Sequence, residues 1–312
     1  MVSRKTLIFW FFSVIFAGLL PYLISLYNLH ISIYVLQNII IAVSWNIVAM
    51  TGQMSFGTAG FFGIGAYTAT FMWELFKFPT ILNIFLGGFL AAVASLIFGL
   101  ICLRMRGIYF AVTTLGLTEA LRVTLIMVHA ISFRPLGTSV PVMFGGLKQY
   151  AYYFILIIGL ASIITEFKIM KSKMFYAFTS IRTDEDGATM IGVNPTRYKI
   201  IAFVISSFFI GIAGGFYPFY RGYIEPAAVF DVSISIVGII MPLFGGLYTA
   251  LGPIIGAIVL TILSEKLRFF LTANQLIYGL ILVIAILFMP KGIVGSINSL
   301  REKYPFLFPK AM

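Results

Sequence analysis

Charge is scarce in this 312-residue chain: 21 Lys and Arg and 10 Asp and Glu make up 10% of it, against 61% hydrophobic residues. Soluble domains carry roughly a quarter charged residues, so a soluble globular fold is excluded. Thr6 to Trp73 holds no Asp, Glu, Lys or Arg at all. Further charge-free runs cover Phe78–Leu103, Gln149–Thr165, Ile200–Tyr220, Val232–Ser264 and Phe269–Pro290. Roughly ten-residue segments of alternating polarity are missing too, which excludes a transmembrane barrel. The lone cysteine, Cys102, rules out an internal disulfide or thiolate metal cluster and reads as a buried bystander. His30 and His129 lie in or beside apolar stretches, without an H-E-x-x-H frame or neighbouring carboxylates, so no metal site is expected. There is no G-x-x-x-x-G-K-[ST] to cradle ATP phosphates and no G-x-S-x-G around Ser55. No catalytic residue and no cofactor is implied.

What is present is an all-α polytopic membrane protein. A helix needs about 20 apolar residues to cross the hydrocarbon layer. Ten spans fit, at about 7–26, 31–50, 54–73, 80–103, 107–128, 149–166, 196–220, 231–247, 250–268 and 273–290. The basic head and apolar body of the N-terminus look like a signal peptide. The apolar part runs on to about Leu26 without an A-x-A site, so it reads as a retained first span. With the N-terminus inside, one side collects Arg4, Lys5, Arg104, Arg106, Lys168, Lys171, Lys173, Arg182, Arg197, Lys199, Lys291, Arg301, Lys303 and Lys310, 14 of the 21 basic residues. Lys/Arg excess in short loops sets orientation, so both termini are expected in the cytoplasm. The net charge of +11 is thereby explained without nucleic acid. The organisation expected is an N-terminal helix (1–30), a membrane domain (31–290) with a cytoplasmic loop at 166–199, and a tail (291–312).

That loop, Glu166 to Lys199, carries 10 charged side chains in 34 residues. Thr183 with Asp186 three residues on resembles a capping box, which would put Asp184, Glu185 and Asp186 in the first turn of a short helix. Gly192 suits its stop, and Asn194-Pro195 suits the start of the next helix. By itself, such a helix is either a connector or a docking element.

D186-G187-A188-T189-M190-I191-G192 resembles the E-A-A-x-x-x-G motif of bacterial ABC importer permeases, with Asp for Glu and Gly187 for the first Ala. The stretches RYKIIAFVISSFFIGIAGGFYPFYRGYIEP (197–226), IVGIIMPLFGGLYTALGPIIGAIVLTILSEKLR (236–268), NIVAMTGQMSFGTAGFFGIGAYTA (46–69) and RGIYFAVTTLGLTEALR (106–122) are similar to branched-chain amino-acid importers. The likeness is to the M-type membrane subunit and covers roughly residues 35 to 290. It implies half of a translocation pathway, paired with a homologous H-type permease. It also implies two ATP-binding subunits that dock on Asp186, Gly187, Ala188 and Gly192, and an extracytoplasmic substrate-binding protein. The segment Arg134–Lys148 keeps only Gly145-Gly146-Leu147 of the family's glycine-rich pattern, so urea or amides stand as alternative cargo. An ion-coupled secondary transporter is the alternative from a different class.

Two glycine-rich stretches place Gly52, Gly57 and Gly60, and then Gly245, Gly246 and Gly252, close together. Each glycine costs a water-exposed helix interior about 1 kcal/mol, so the density needs a reason. Close helix packing is one reason, and broken elements lining a pathway, as in transporters with inverted repeats, is the other. Glu119 and Arg122 form the one ionisable pair well inside an apolar span, expected as a buried structural pair or a substrate contact.

Overall fold

A computed structural model describes residues 17–131, 137–267 and 292–296. Most of the first expected span, the tenth span, both termini, Arg134, Arg268 and the side chain of His129 fall outside the described residues. Among those described, the fold is all-α apart from one two-residue ladder. The long helices are α1 (Leu26–Ala49), α2 (Thr58–Phe76), α3 (Thr80–Cys102) and α4 (Ile108–Ile131). A ladder strand β1 (Thr138–Ser139) leads to α5 (Lys148–Lys171). Two short helices follow, α6 (Lys173–Thr183) and α7 (Glu185–Met190), and then the longest, α8 (Pro195–Arg221). Strand β2 (Tyr223–Ile224), a single turn α9 (Pro226–Val229), and a hairpin of α10 (Val232–Gly245) and α11 (Gly252–Leu267) complete the order.

Among the described residues, six helical segments are long and apolar enough to cross a membrane: Leu26–Ala49, Thr80–Cys102, Ile108–Val128, Lys148–Lys171, Pro195–Arg221 and Pro226–Gly245. Helix α2 is not among them, although its 19 residues rise about 28 Å. Its glycines, threonines and Glu74 lower its hydropathy, and it is a packed interior helix.

Helix α8 is central, lying against α2, α3 and α1, while α1 also packs on α5 and on the α10–α11 hairpin. Residues 39–50 of α1 are buried without interruption, the pattern of a helix enclosed on every side. Small residues let these backbones meet. A Cβ on Gly65 of α2 would lie 2.0 Å from the Gly211 carbonyl oxygen of α8, and one on Gly214 would lie 2.0 Å from that of Phe62. Around this crossing Phe61 meets Phe203 edge-to-face and Phe154 stacks on Phe216. Helix α4 is the exception, lightly attached and exposing Ile108, Tyr109, Val112 and Met127. Cys102 is buried, as expected.

The turns between helices define two ends. At one, Thr138 pairs with Ile224 in the β1–β2 ladder. At the other lie the α3–α4 turn, α6, α7 and the turns at 50–57 and 246–251.

Candidate functional site

The charged end is built from side-chain caps. Ser172 begins α6 by accepting from the Met174 N–H at 3.2 Å. The buried face of α6, including Phe178, sits on a cluster containing Ile47, Met50, Ile169 and Ala202. Helix α7 starts one residue later than the capping-box reading requires. Asp184, not Thr183, is the N-cap, accepting from the Asp186 N–H at 3.1 Å. The Thr183 hydroxyl instead donates to the Thr179 carbonyl, finishing α6. A Cβ on Gly187 would come within 2.6 Å of the Asp184 carboxylate, so glycine gives this cap its room. Gly192, at φ +84°, ends α7 as expected. Its N–H donates to Thr189 O and the Val193 N–H to Ala188 O, the two bonds of a Schellman stop. Asn194 then caps α8, with Pro195 in its first turn.

An ion cluster clamps α7 to the bundle. Lys199 Nζ of α8 lies 2.7 Å from Glu185 Oε2, with the lysine side chain 1% exposed and the glutamate 22%. Arg106 from the α3–α4 turn makes a two-pronged contact with Asp186 at 2.9 and 3.2 Å and reaches Glu185 at 3.4 Å. The guanidinium holds the Asp186 carboxyl below the usual carboxylate range. Ala188, expected on the docking surface, is 2% exposed and lies at the floor of the cleft beside α7. The outward residues are Met190, 89% exposed, and Ile191, which sequence reasoning passed over. Beside them a shallow, mostly apolar cleft of about 410 Å³ is lined by Tyr176, Thr183, Gly187 and Ile191.

Behind α6 lies a polar junction. Asn46 of α1 donates through Nδ2 to Glu166 Oε1 at 2.6 Å and to Thr249 O at 3.3 Å, and its Oδ1 accepts from the Tyr248 N–H at 3.1 Å. Glu166, expected at the edge of the loop, is inside α5 and fully buried, because the helix runs on to Lys171. Lys199, the loop's other boundary, is likewise buried inside α8. The Arg182 guanidinium of α6 sits 3.9 Å over the Tyr248 ring.

The glycines divide. Gly245, Gly246 and Gly252 form the neck of the α10–α11 hairpin, where a Cβ on Gly245 would be 1.8 Å from Gly252 O and Gly246 has φ +130°. Gly52, at φ +83°, lies against Arg182; Gly57 and Gly60 face Thr114 and Thr118 of α4. Close backbone approach accounts for the hairpin set. Glu119 and Arg122 do form their pair, Arg122 Nε donating to both carboxylate oxygens at 3.0 Å. Their side chains are 46% and 36% exposed, so this chain does not bury the pair: it lies on the uncovered face of α4. The enclosed acid of the bundle is Glu166. Among the described residues no three His, Cys, Asp or Glu converge as metal ligands.

The family model for the branched-chain amino acid transport system / permease component matches residues 29–289. High-affinity branched-chain amino acid transport system permease protein LivM of Salmonella typhimurium strain LT2 is 26% identical over 305 residues, covering 88% of this chain and 71% of the relative. LivM of Escherichia coli strain K12 is 27% identical with the same coverage. No solved structure matches.

Proposed function

The chain belongs to the branched-chain amino acid transport permease family, and on that premise we propose that it forms half of the translocation pathway of an ATP-driven importer. It is a multi-pass protein of a prokaryotic inner membrane, and its cargo class is the branched-chain, hydrophobic amino acids. A homologous H-type permease, two ATP-binding subunits and an extracytoplasmic binding protein complete the machine; hydrolysis belongs to the ATP-binding subunits.

The observation that carries the ATP-driven reading is α7, a short helix fixed at its base by Lys199, Glu185 and Arg106 and presenting Met190 and Ile191 outward. A rigidly held helix with an apolar tip is suited to entering a groove on a partner and transmitting its movement. The end bearing α7 holds Arg104, Arg106, Lys168, Lys171, Lys173, Arg182, Arg197 and Lys199, against Lys77, Lys148, Arg221 and Lys266 at the other. That imbalance supports a cytoplasmic position for α7. The uncovered face of α4 supports the pairing: an ionised Glu119–Arg122 pair halfway along a span is costly against lipid, so the face meets protein or a water-filled path. The second permease and the pathway belong there, because Gly57 and Gly60 seat the buried Thr114 and Thr118 face of α4 on α2.

One observation favours the ion-coupled alternative: Glu166 is a buried carboxyl in a span, and its Oε2 has no hydrogen-bond partner among the described residues. Reconstituted complex in vesicles separates the readings. Leucine uptake that needs ATP and survives collapse of the ion gradients supports the importer; uptake abolished by that collapse, without an ATP requirement, overturns it. Urea in the same assay tests the other cargo class. Met190→Asp with Ile191→Asp should abolish co-purification of the ATP-binding subunits, and undiminished co-purification would remove α7 as the docking element.

A further inference from the structure

Resting on that docking reading, the geometry points to Arg182 as a positioning residue: through its stack on Tyr248, it passes the displacement of α7 to the 246–251 turn of the membrane hairpin.

The two helices at the charged end share a residue. Asp184 is both the C-cap of α6 and the N-cap of α7, and Arg182 sits in the last turn of α6, two residues before it. Any force that tilts α7 therefore moves Arg182 over a very short lever. The Arg182 guanidinium sits over Tyr248, its carbon 3.9 Å from the ring centroid. Arg182 Nη1 is buried and has no hydrogen-bond acceptor among the described residues, leaving the ring as the contact that holds this end of the cation. On the other side of the same side chain, a Cβ on Gly52 would meet Arg182 Cα at 3.2 Å. The bare glycine allows α6 to close on the α1–α2 turn. Arg182 is thus wedged between both glycine-rich turns that sequence reasoning had singled out.

Tyr248 occupies a position that its own backbone disfavours. Its φ of +62° is in the left-handed region, where glycine and asparagine are preferred and a bulky side chain is an outlier. Such outliers persist where the surroundings over-determine them, and they cluster at moving or functional sites. The surroundings here are specific. The Tyr248 N–H is held by Asn46 Oδ1, the next carbonyl by Asn46 Nδ2, and Asn46 in turn by Glu166. The Thr249 hydroxyl closes the turn by donating to Gly246 O and accepting from the Gly252 N–H. A Cβ on Gly292 would be 2.6 Å from the Gly246 nitrogen, so Gly292 lies directly against the same turn. The 246–251 turn is therefore a compact unit, hydrogen-bonded to Asn46 of α1 and through it to Glu166 of α5, and α6 reaches its Tyr248 ring through the Arg182 cation and through the apolar cluster that holds Phe178. A push on α7 arrives at that ring, and the hairpin that pivots on this turn is the element it biases.

The test uses the full complex, with ATP-binding subunits and binding protein, reconstituted in vesicles. Arg182→Ala and Tyr248→Leu should keep subunit assembly and basal ATP hydrolysis while lowering transport per ATP hydrolysed by about tenfold, the scale a desolvated cation–ring contact supports. Tyr248→Phe, which keeps the ring, should transport normally. The double variant should be no worse than either single one, because both remove one contact. Normal transport per ATP in Arg182→Ala overturns the proposal. So does loss of assembled complex in proportion to loss of transport, which marks the stack as packing. Failure of the docking reading looks different: Met190→Asp with Ile191→Asp would then leave the ATP-binding subunits attached and hydrolysis coupled, whatever Arg182→Ala does.

Discussion

A single added methyl at the α2–α3–α8 crossing should be among the most damaging small changes this chain can receive. The Cβ of Gly65→Ala would sit 2.0 Å from Gly211 O, 2.6 Å from Gly211 Cα and 2.7 Å from Gly211 C. All three are backbone atoms of a helix interior, so no rotamer change can clear them. Restoring an ordinary contact of about 3.4 Å requires α2 and α8 to part by about 1.4 Å, and a gap of even 0.5–1 Å forfeits a quarter to a half of each dispersion contact. On the third side, a Cβ on Gly87 of α3 would lie 2.5 Å from Gly65 O, so α2 cannot simply retreat. Overpacking a core costs about 1–3 kcal/mol, and backbone obstruction on two sides puts this site at about 3; alanine's better helix propensity returns about 1. A net loss of about 2 kcal/mol is expected. Gly159→Ala is the control. Its Cβ would find Ile40 at 3.8 Å and Leu36 at 3.9 Å, ordinary contacts, and should be neutral or stabilising. Thermal unfolding of the purified permease in one detergent at one scan rate, with the monodisperse fraction by size exclusion, reads both. Equal midpoints for Gly65→Ala and the parent would refute the crossing geometry, and so would a loss in Gly159→Ala as large as that in Gly65→Ala.

Four further outcomes are expected. Lys199→Ala leaves the Glu185 carboxylate partly buried beside one exposed arginine, a loss of about 2–3 kcal/mol once the partial wetting of Glu185 is allowed for. Arg106→Gln should cost far less in the same unfolding assay, because its own side is solvated, and equal losses would contradict the clamp. The Arg106–Asp186 contact should also weaken in acid: Asp186 is held low, so its contribution is complete above the ordinary carboxylate range and fades as pH falls through the lowered value. Glu119→Ala should reduce the assembled two-permease complex more than Glu119→Ala with Arg122→Ala, since an unpaired charge on that face is worse than none; normal assembly with altered cargo affinity in each single variant would instead mark a substrate contact. A membrane-impermeant thiol reagent added outside cells should label Lys148→Cys and spare Met190→Cys, and the opposite pattern would invert the topology.

The membrane character of the chain and the order of its helices could be read from charge-free runs, and span ends such as 196–220 against Pro195–Arg221 differ by a residue. The larger misses share a cause. A span was ended at its first charge, so 149–166 stopped where α5 in fact carries Glu166 inward to Asn46. Hydropathy scores a carboxylate by its own cost and cannot see an amide from a helix 120 residues away. Helix α6 went unread inside the charged loop, although Met174, Ala177, Phe178 and Ile181 repeat at helical spacing. Ala188 shows a different limit. A small residue signals close approach but not to what: Ala188 is buried in this chain and also lines the cleft beside α7. The same ambiguity affects the glycines. Gly245, Gly246 and Gly252 meet at the hairpin neck, while Gly211 and Gly214, which carry the tightest contacts of the central helix, sit in the 197–226 stretch and are identified only by the backbones that meet them.

The two kinds of contact in this fold divide the labour of a moving permease. Where glycine brings backbone onto backbone, as among α2, α3 and α8, separation is opposed by many short-range contacts at once and there is no alternative packing nearby, so those helices move as one body. The α10–α11 hairpin is closed by equally tight glycines at its neck, which makes it a second rigid piece. Between the pieces the polar contacts are few and exchangeable: Ser235 of α10 bridging Phe56 O and the Ala59 N–H, one asparagine to a turn, one carboxyl behind it, and one arginine on a ring. Hydrogen bonds and cation–ring contacts can be traded for others at small net cost, whereas a backbone crossing cannot. A displacement applied at α7 is therefore expressed where resistance is least, at the 246–251 turn, and the glycines, by stiffening everything else, determine that it is expressed there.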